Sequence, residues 1–248
     1  MTVWALADPH LALAIPQKTM DVFGGRWVGY VDKMKKAWED LVKEEDLVLI
    51  AGDISWASNP ADAKVDLEWI HALPGTKVMI KGNHDYWWDT ISKALKVCPP
   101  SIHLIQNNSF TWNGVTIGGA RLWDSDELDF DPIIEYVPVP ENIHIAPEPK
   151  GEESRRVFDR ELLRLEMSLK TLDPSAHTRI AMTHYPPIGY GLQPSTTAAI
   201  LEKYRIDFCI FGHLHNVKQG IDIFGERNGV KYLLTSSDYL NFIPLKIL

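Results

Sequence analysis

The sequence predicts an α/β domain whose functional residues gather at the C-terminal ends of its strands. Three observations carry this. Short apolar runs of strand type alternate with stretches of helical periodicity along the chain. Five of those runs end in acid, amide or imidazole side chains, and five of the nine histidines fall at these ends. The 248 residues, 45% of them hydrophobic, supply enough apolar surface for one large core or two small ones. In open α/β sheets the C-terminal strand edge is where ligands bind.

Residues 2–7 read as a buried first strand that runs into Asp8-Pro9-His10. Pro9 cannot continue a ladder, so Asp8 and His10 stand at the strand's end. Residues 28–43 place Val31, Met34, Trp38, Leu41 and Val42 at the spacing of an amphipathic helix. Lys35, Lys36, Glu39 and Asp40 form its solvated face. Residues 46–51 are a second strand ending in Gly52-Asp53, where Gly52 lets backbone pass close beside the site. Asn59-Pro60 is an N-cap followed by proline at the first helical position, opening a helix that runs to His71 or Ala72.

Residues 76–80 are a third strand, followed on a tight turn by Lys81-Gly82-Asn83-His84-Asp85. Tyr86, Trp87 and Trp88 then lead into a helix through Lys96. Residues 102–105 form a fourth strand, and residues 110–112 and 115–117 pair as a hairpin across Asn113-Gly114. Residues 121–153 break the rhythm. Asp124, Asp126, Glu127, Asp129 and Asp131 cluster there, and five prolines follow between Pro132 and Pro149. This segment reads as an excursion from the core: a long loop, a lid or a small cap. A charged helix over 153–172 follows, then a strand at 179–182 ending in Thr183-His184. After a helix at 196–204, a strand at 207–211 ends in Gly212-His213-Leu214-His215, and residues 231–236 and 242–247 are β-rich.

Asp-x-His offers a hard oxygen and an imidazole to one divalent ion. Asn offers a neutral oxygen, His a nitrogen or a proton, and Asp a carboxylate that can orient a His. Five strand ends that all gather such groups point to metal ions rather than to surface turns. His71, His103, His144 and His177 lie elsewhere and take structural roles. The formal charge of -8 argues against broad nucleic-acid binding. It is compatible with a phosphate-bearing substrate, because bound cations supply positive charge locally. Cys98 and Cys209 give no disulfide framework. With no signal-peptide pattern and no run of membrane-spanning length, the expectation is a soluble cytoplasmic protein. Trp56, Tyr86, Trp87 and Trp88 adjoin the candidate residues and read either as core or as a surface for stacking a base or sugar ring.

The blocks Asp8-x-His10, Gly52-Asp53, Gly82-Asn83-His84-Asp85, His184 and Gly212-His213-x-His215 resemble the calcineurin-like metallophosphoesterase superfamily. They occur in that family's order from residue 8 to residue 215. The likeness is to bacterial predicted phosphohydrolases. Protein Ser/Thr phosphatases carry an Asp three residues after the bridging Asp, then Arg-Gly, where this chain has Trp56 and Ala57. The resemblance implies a four-layer α/β/β/α sandwich in one domain over 1–248, with the insertion at 121–153 and a dinuclear site at strand ends. It implies that Asp8, His10 and His215 bind one metal, that Asn83, His184 and His213 bind the second, and that Asp53 bridges both. His84 would contact phosphate and help the leaving group, oriented by Asp85. Mixed Asn, Asp and His ligands suit Mn, Fe or Zn better than Mg. The expected activity is hydrolysis of a phosphomonoester or phosphodiester of small or medium size. A nuclease of the same fold and an inactive metal-binding scaffold are the alternatives.

Overall fold

The structure is a computed structural model that describes residues 1–138, 149–220 and 223–248. The first half runs β1 (Val3–Leu6), α1 (Tyr30–Leu41), β2 (Leu47–Ile50), α2 (Pro60–Ala72), β3 (Thr76–Met79), α3 (Ile91–Ala94) and β4 (Ile102–Leu104). The second runs β5 (Ser109–Trp112), β6 (Val115–Ala120), α4 (Gly151–Leu169), β7 (Thr178–Thr183), α5 (Thr196–Lys203), β8 (Phe208–Phe211), β9 (Glu226–Arg227), β10 (Val230–Leu234) and β11 (Leu245–Lys246). Two sheets result, ordered β11-β1-β2-β3-β4 and β5-β6-β7-β8-β10-β9. Their central strands are parallel, and the edge strands β11, β5 and β9 pair antiparallel.

Strand periodicity explains the layers, since successive side chains point to opposite faces. Val3, Ala5, Leu47, Leu49 and Val78 of the first sheet meet Val115, Ile117, Ile180, Met182 and Ile210 of the second in an inner core. The alternate residues Leu6, Val48, Ile50 and Met79 face outward onto Tyr30, Met34 and Trp38 of α1 and Leu67 and Ile70 of α2. Ala181, Cys209 and Phe211 face the other way, onto Phe158, Leu165 and Leu169 of α4 and Ala198 and Leu201 of α5. The result is a four-layer α/β/β/α sandwich. Strands buried on both faces read as continuous apolar runs, which is how they appear in the sequence.

Local signals act as expected at several places. The Asn59 side chain accepts the N–H groups of Ala61 and Asp62, each at 3.0 Å, and so caps α2. Asn113 and Gly114 turn the β5–β6 hairpin with φ of 48° and 79°. Other elements differ. The helix expected through Lys96 is the single turn of α3. The β-rich stretch at 242–247 yields only the two residues of β11, because Asn241 and Phe242 both adopt left-handed φ and turn the chain first. Within 121–153, Leu122, Trp123 and Ile133 are buried in the outer core of the second sheet. Residues 139–148 of that segment, His144 among them, lie outside the described residues.

The two sheets join at the edge where the candidate residues sit. Ala7 N–H donates to Thr235 O at 2.7 Å, and Ser237 N–H donates to Ala7 O at 2.9 Å. Asp8 N–H bonds Gly52 O at 3.0 Å within the first sheet, and Gly212 N–H bonds His184 O at 3.1 Å within the second. Asp8, Asp53 and Asn83 from one sheet are thereby brought against His184, His213 and His215 from the other.

Candidate metal centre

The strand ends turn sharply. Asp8, His10, Asp53 and His213 have φ of 55°, 44°, 50° and 69°. Non-glycine residues rarely occupy this region, and strain of this kind concentrates at functional sites. The glycines before the candidate residues have a separate reason. A Cβ on Gly82 would stand 2.1 Å from Asp53 Oδ1, one on Gly212 would stand 2.4 Å from Asp8 Oδ2, and one on Gly52 would stand 2.6 Å from His184 Nδ1. Only glycine lets these loops close around the carboxylates and the imidazole.

Two groups of potential ligands converge, Asp8 with His10 and His215, and Asp8 with Asp53 and His184, with all ligating atoms in each group within 4.8 Å of one another. His10 Nε2 lies 3.1 Å from His215 Nε2 and 3.7 Å from Asp53 Oδ2. His184 Nε2 lies 3.4 Å from the same Asp53 Oδ2 and 2.7 Å from Asn83 Oδ1. One oxygen of Asp53 therefore faces an imidazole from each side. His213 sits against the cluster: its N–H donates to both Asp8 oxygens, at 3.2 and 3.0 Å, and its ring centroid is 5.2 Å from that of His184. The His84 ring lies 5.8 Å from His10 and 4.4 Å from Trp56, centroid to centroid.

Buried outer partners fix the rings. His215 Nδ1–H donates to Asp238 Oδ1 at 2.9 Å, while Asp238 Oδ2 accepts the N–H of Asn216 at 2.8 Å. His184 Nδ1–H donates to the carbonyl of Ala51 at 2.9 Å. In both rings Nδ1 is thereby engaged on the outer side and Nε2 points into the cluster. Asp85 is held by main-chain and indole N–H groups. Its Oδ1 accepts from Ile54 N–H, Ser55 N–H and Trp87 Nε1–H at 2.9, 3.1 and 2.9 Å, and its Oδ2 accepts from Gly82 N–H at 2.7 Å. Asp85 therefore ties the turn that carries His84 to the loop after Asp53.

The family profile described as calcineurin-like phosphoesterase matches residues 1–217. The chain belongs to this family. Among curated relatives, the gene 66 protein of Mycobacterium phage D29 is 37% identical over 86 residues, 34% of this chain and 40% of that protein. The gene 66 protein of Mycobacterium phage L5 is 44% identical over 52 residues, 21% of this chain and 25% of that protein. The chain thus spans less than half the length of these two relatives. Among solved structures, a protein of unknown function from Aquifex aeolicus, AQ665, aligns with a TM-score of 0.50 at 17% identity, over 99% of this chain and 95% of that one. That likeness shows the fold. Membership of the calcineurin-like phosphoesterases, with the Asp/His clusters, supports metal-dependent phosphoester hydrolysis as the general chemistry.

The electrostatics of the site fit the divalent centre of a calcineurin-like phosphoesterase. Burial pushes His184 down, but the charges of Asp53 and Asp8 outweigh it and hold the ring up at about 9. His215 is likewise held at about 9, burial being outweighed by Asp238 and Asp8. Burial pushes Asp8 up to about 6 against the pull of His215 and His184. Burial also raises Asp53, but His184, His10 and His84 together hold it well below the usual carboxylate range. Burial drives His10 and His213 well below the usual histidine range. In addition, His10 Nδ1 is buried without a hydrogen-bond partner among the described residues. His184 Nε2 stands 2.7 Å from Asn83 Oδ1 and 3.4 Å from Asp53 Oδ2, a close set of acceptor atoms that positive charge holds together, a proton on the raised imidazole or a divalent ion in its place. A carboxylate, imidazole and amide set fits a divalent transition metal in that place.

A cavity of about 370 Å³ opens beside the cluster, lined by His10, His84 and His215 and walled by Phe23, Trp27 and Trp56. Trp56 stacks on His10 with centroids 5.1 Å apart and planes 21° apart, so it belongs to the site. Trp87 and Trp88 are fully buried core residues. Glu135 and Val137, from the described part of the 121–153 segment, line the same cavity. Glu135 N–H donates to Asn216 O at 2.8 Å, which seats this stretch beside His215. Sequence reasoning missed Trp27 and Asp238. The only signal for Asp238 was its place in Ser236-Ser237-Asp238, just after a β-rich run.

Proposed function

We propose that this chain hydrolyses a phosphomonoester or phosphodiester of small or medium size at a centre of two divalent transition-metal ions, Mn, Fe or Zn. The observation that carries the reading is the placement of Asp53 Oδ2 between His10 Nε2 and His184 Nε2, at 3.7 and 3.4 Å. Asp8, His10 and His215 would hold one ion, Asn83, His184 and His213 would hold the other, and Asp53 would serve both. When bound, such ions supply Lewis acidity toward phosphoryl oxygens and acidify the water nucleophile. The chain's own residues do the rest. Asp238 and the Ala51 carbonyl keep Nε2 of His215 and of His184 inward. Asp53 Oδ1 holds the main chain of His84, and the His84 ring faces the cavity, in place to give a proton to the leaving oxygen. The aromatic wall of Trp27 and Trp56 suits a substrate whose alcohol carries a planar or apolar group.

A cavity of this size and the net charge of -8 favour a small ester over a nucleic-acid strand. The convergence of the ligand blocks favours an enzyme over an inactive scaffold. Cys98 and Cys209 are both free, which suits a reducing, cytoplasmic setting. The test is metal content measured beside turnover of p-nitrophenyl phosphate, bis-p-nitrophenyl phosphate and single-stranded DNA. Two metals per chain, turnover of a chromogenic ester, loss on chelation and recovery with Mn are expected. Full activity in metal-free protein overturns the reading, and DNA cleavage in preference to both esters makes the protein a nuclease.

A further inference from the structure

A second cavity, of about 260 Å³, is lined by Lys81, Arg121, Arg160, Arg164, Glu161, Gln106 and Asn107 together with main chain at the end of β6. It shares no lining residue with the cavity beside the metal centre, although Lys81 lines one and His84, three residues on, lines the other. Four cationic side chains here meet a single carboxylate. Glu161 is 2% exposed, and one of its oxygens, Oε1, receives Arg164 at 2.7 Å, Arg121 at 3.3 Å and Arg160 at 3.8 Å. One acid cannot neutralise this set, in a chain whose net charge is -8.

The polar groups of the cavity are also incompletely satisfied. Arg121 Nε and Asn107 Oδ1 are buried and have no hydrogen-bond partner among the described residues. A buried guanidinium N–H without an acceptor is costly, and an oxyanion is the acceptor that guanidinium forks match best. Arg121 is held in place from two sides. Its guanidinium lies 4.7 Å over the Trp123 ring, and its carbonyl accepts the N–H groups of His184 and Tyr185 at 3.1 and 3.0 Å. Arg160 and Arg164 lie one turn apart on α4, so the helix presents both to the same opening.

We propose that this cavity is a second ligand site, binding a tetrahedral oxyanion such as inorganic phosphate, or the phosphoryl group of a larger ligand, back to back with the metal centre. The Arg160 and Arg164 guanidinium groups, the accessible part of the Arg121 side chain and the Lys81 ammonium supply the donors. The site stands on its own geometry, and only the comparison of KM values rests on the hydrolytic reading.

The test is calorimetric titration of inorganic phosphate into metal-loaded wild type, into Asp53→Asn, and into the double variant Arg160→Gln/Arg164→Gln. Arg160 and Arg164 are 54% and 39% exposed, so their replacement leaves the core untouched, as a thermal melt checks. A phosphate-binding component that persists in Asp53→Asn, weakens with added salt and falls at least tenfold in the double variant is expected. Loss of all phosphate binding in Asp53→Asn overturns the proposal, as does unchanged affinity in the double variant. Kinetics separate the two sources of the anion. A free anion leaves the double variant's KM for p-nitrophenyl phosphate and for a bisphosphorylated substrate unchanged. A reaching phosphoryl group raises KM for the bisphosphorylated substrate alone.

Discussion

The main-chain N–H of His84 donates to Oδ1 of Asp53 at 2.8 Å. Asp53 therefore uses one oxygen to place the residue after Asn83 and leaves the other, Oδ2, between two imidazoles. This ties the proposed bridge and the proposed proton donor to a single carboxylate, and it separates their failure modes.

His84→Asn keeps the main-chain bond and removes only the ring. Metal content and thermal midpoint should stay at wild-type values, while kcat falls roughly 10²–10⁴-fold, the usual effect of losing a positioned acid. An ester with a strongly acidic leaving group should lose less. Asp53→Asn should lose metal and rate together. Elemental analysis beside kcat for the two variants checks this, and a metal lost from His84→Asn with both kept in Asp53→Asn reverses the assignment.

Asp238 acts on the site through His215. Asp238→Asn keeps the shape but weakens the acceptor that fixes the His215 tautomer. Metal affinity should fall about 10–100-fold, with little change in fold. Competition against a chromogenic chelator measures it, and an unchanged affinity would show that the contact with His215 Nδ1 does not tune the ligand.

Glu135 and Val137 face the same cavity as Trp56. Replacing all of 121–153 would also remove the buried side chains of Leu122, Trp123 and Ile133, so the informative changes are smaller. Glu135→Ala/Val137→Ala and Trp56→Ala should each shift the ranking of phosphate esters by KM while metal content holds. Unchanged KM across every active ester would make this stretch a neighbour of the site with no part in selection.

Lys77 is a buried cation on β3 whose Nζ–H groups reach the carbonyls of Leu73 and His71 at the end of α2. Burial lowers it to about 8, against about 10.4 in an unfolded chain. Between these values the unfolded state holds more protons, so stability rises with pH through this window and the contribution is lost as pH falls through about 8. Lys77→Met should flatten that rise. Urea midpoints for both proteins at pH 7 and pH 10 give the comparison, and equal slopes would remove Lys77 as its source.

Much of the site was legible because its residues stand at strand ends, where a local pattern and a tertiary position coincide. Asp8, Asp53, Asn83, His184 and His213 each follow an apolar run that the sandwich buries on both faces. The four-layer arrangement itself rested on the family likeness, because periodicity reports which faces are apolar and not which sheets meet. The main-chain partners of Asp85 were not legible for a related reason. On the tight turn its carboxylate reaches back onto the N–H groups of residues 54, 55 and 82, contacts that no local pattern announces. Asp238 stood outside any motif, since it is the parallel pairing of β10 with β8, Leu234 beside Phe211, that brings it to His215. Trp56 and Trp88 both sit beside ligand blocks, yet one lines the cavity and the other is core, a difference that no local pattern carries.

The order of strands in the first sheet bears on how the protein is made. β1 lies between β2 and β11, and β10 lies inside the second sheet. A nascent chain that has reached residue 217 already holds every block of the family match but lacks β10, β11 and Asp238. On the ribosome, β1 meets its neighbour β2 early, but its other neighbour, β11, is made more than two hundred residues after Asp8 and His10. A chain released at that point carries the complete signature and the residues that line the cavity, but not Asp238, the acceptor that fixes the His215 ring.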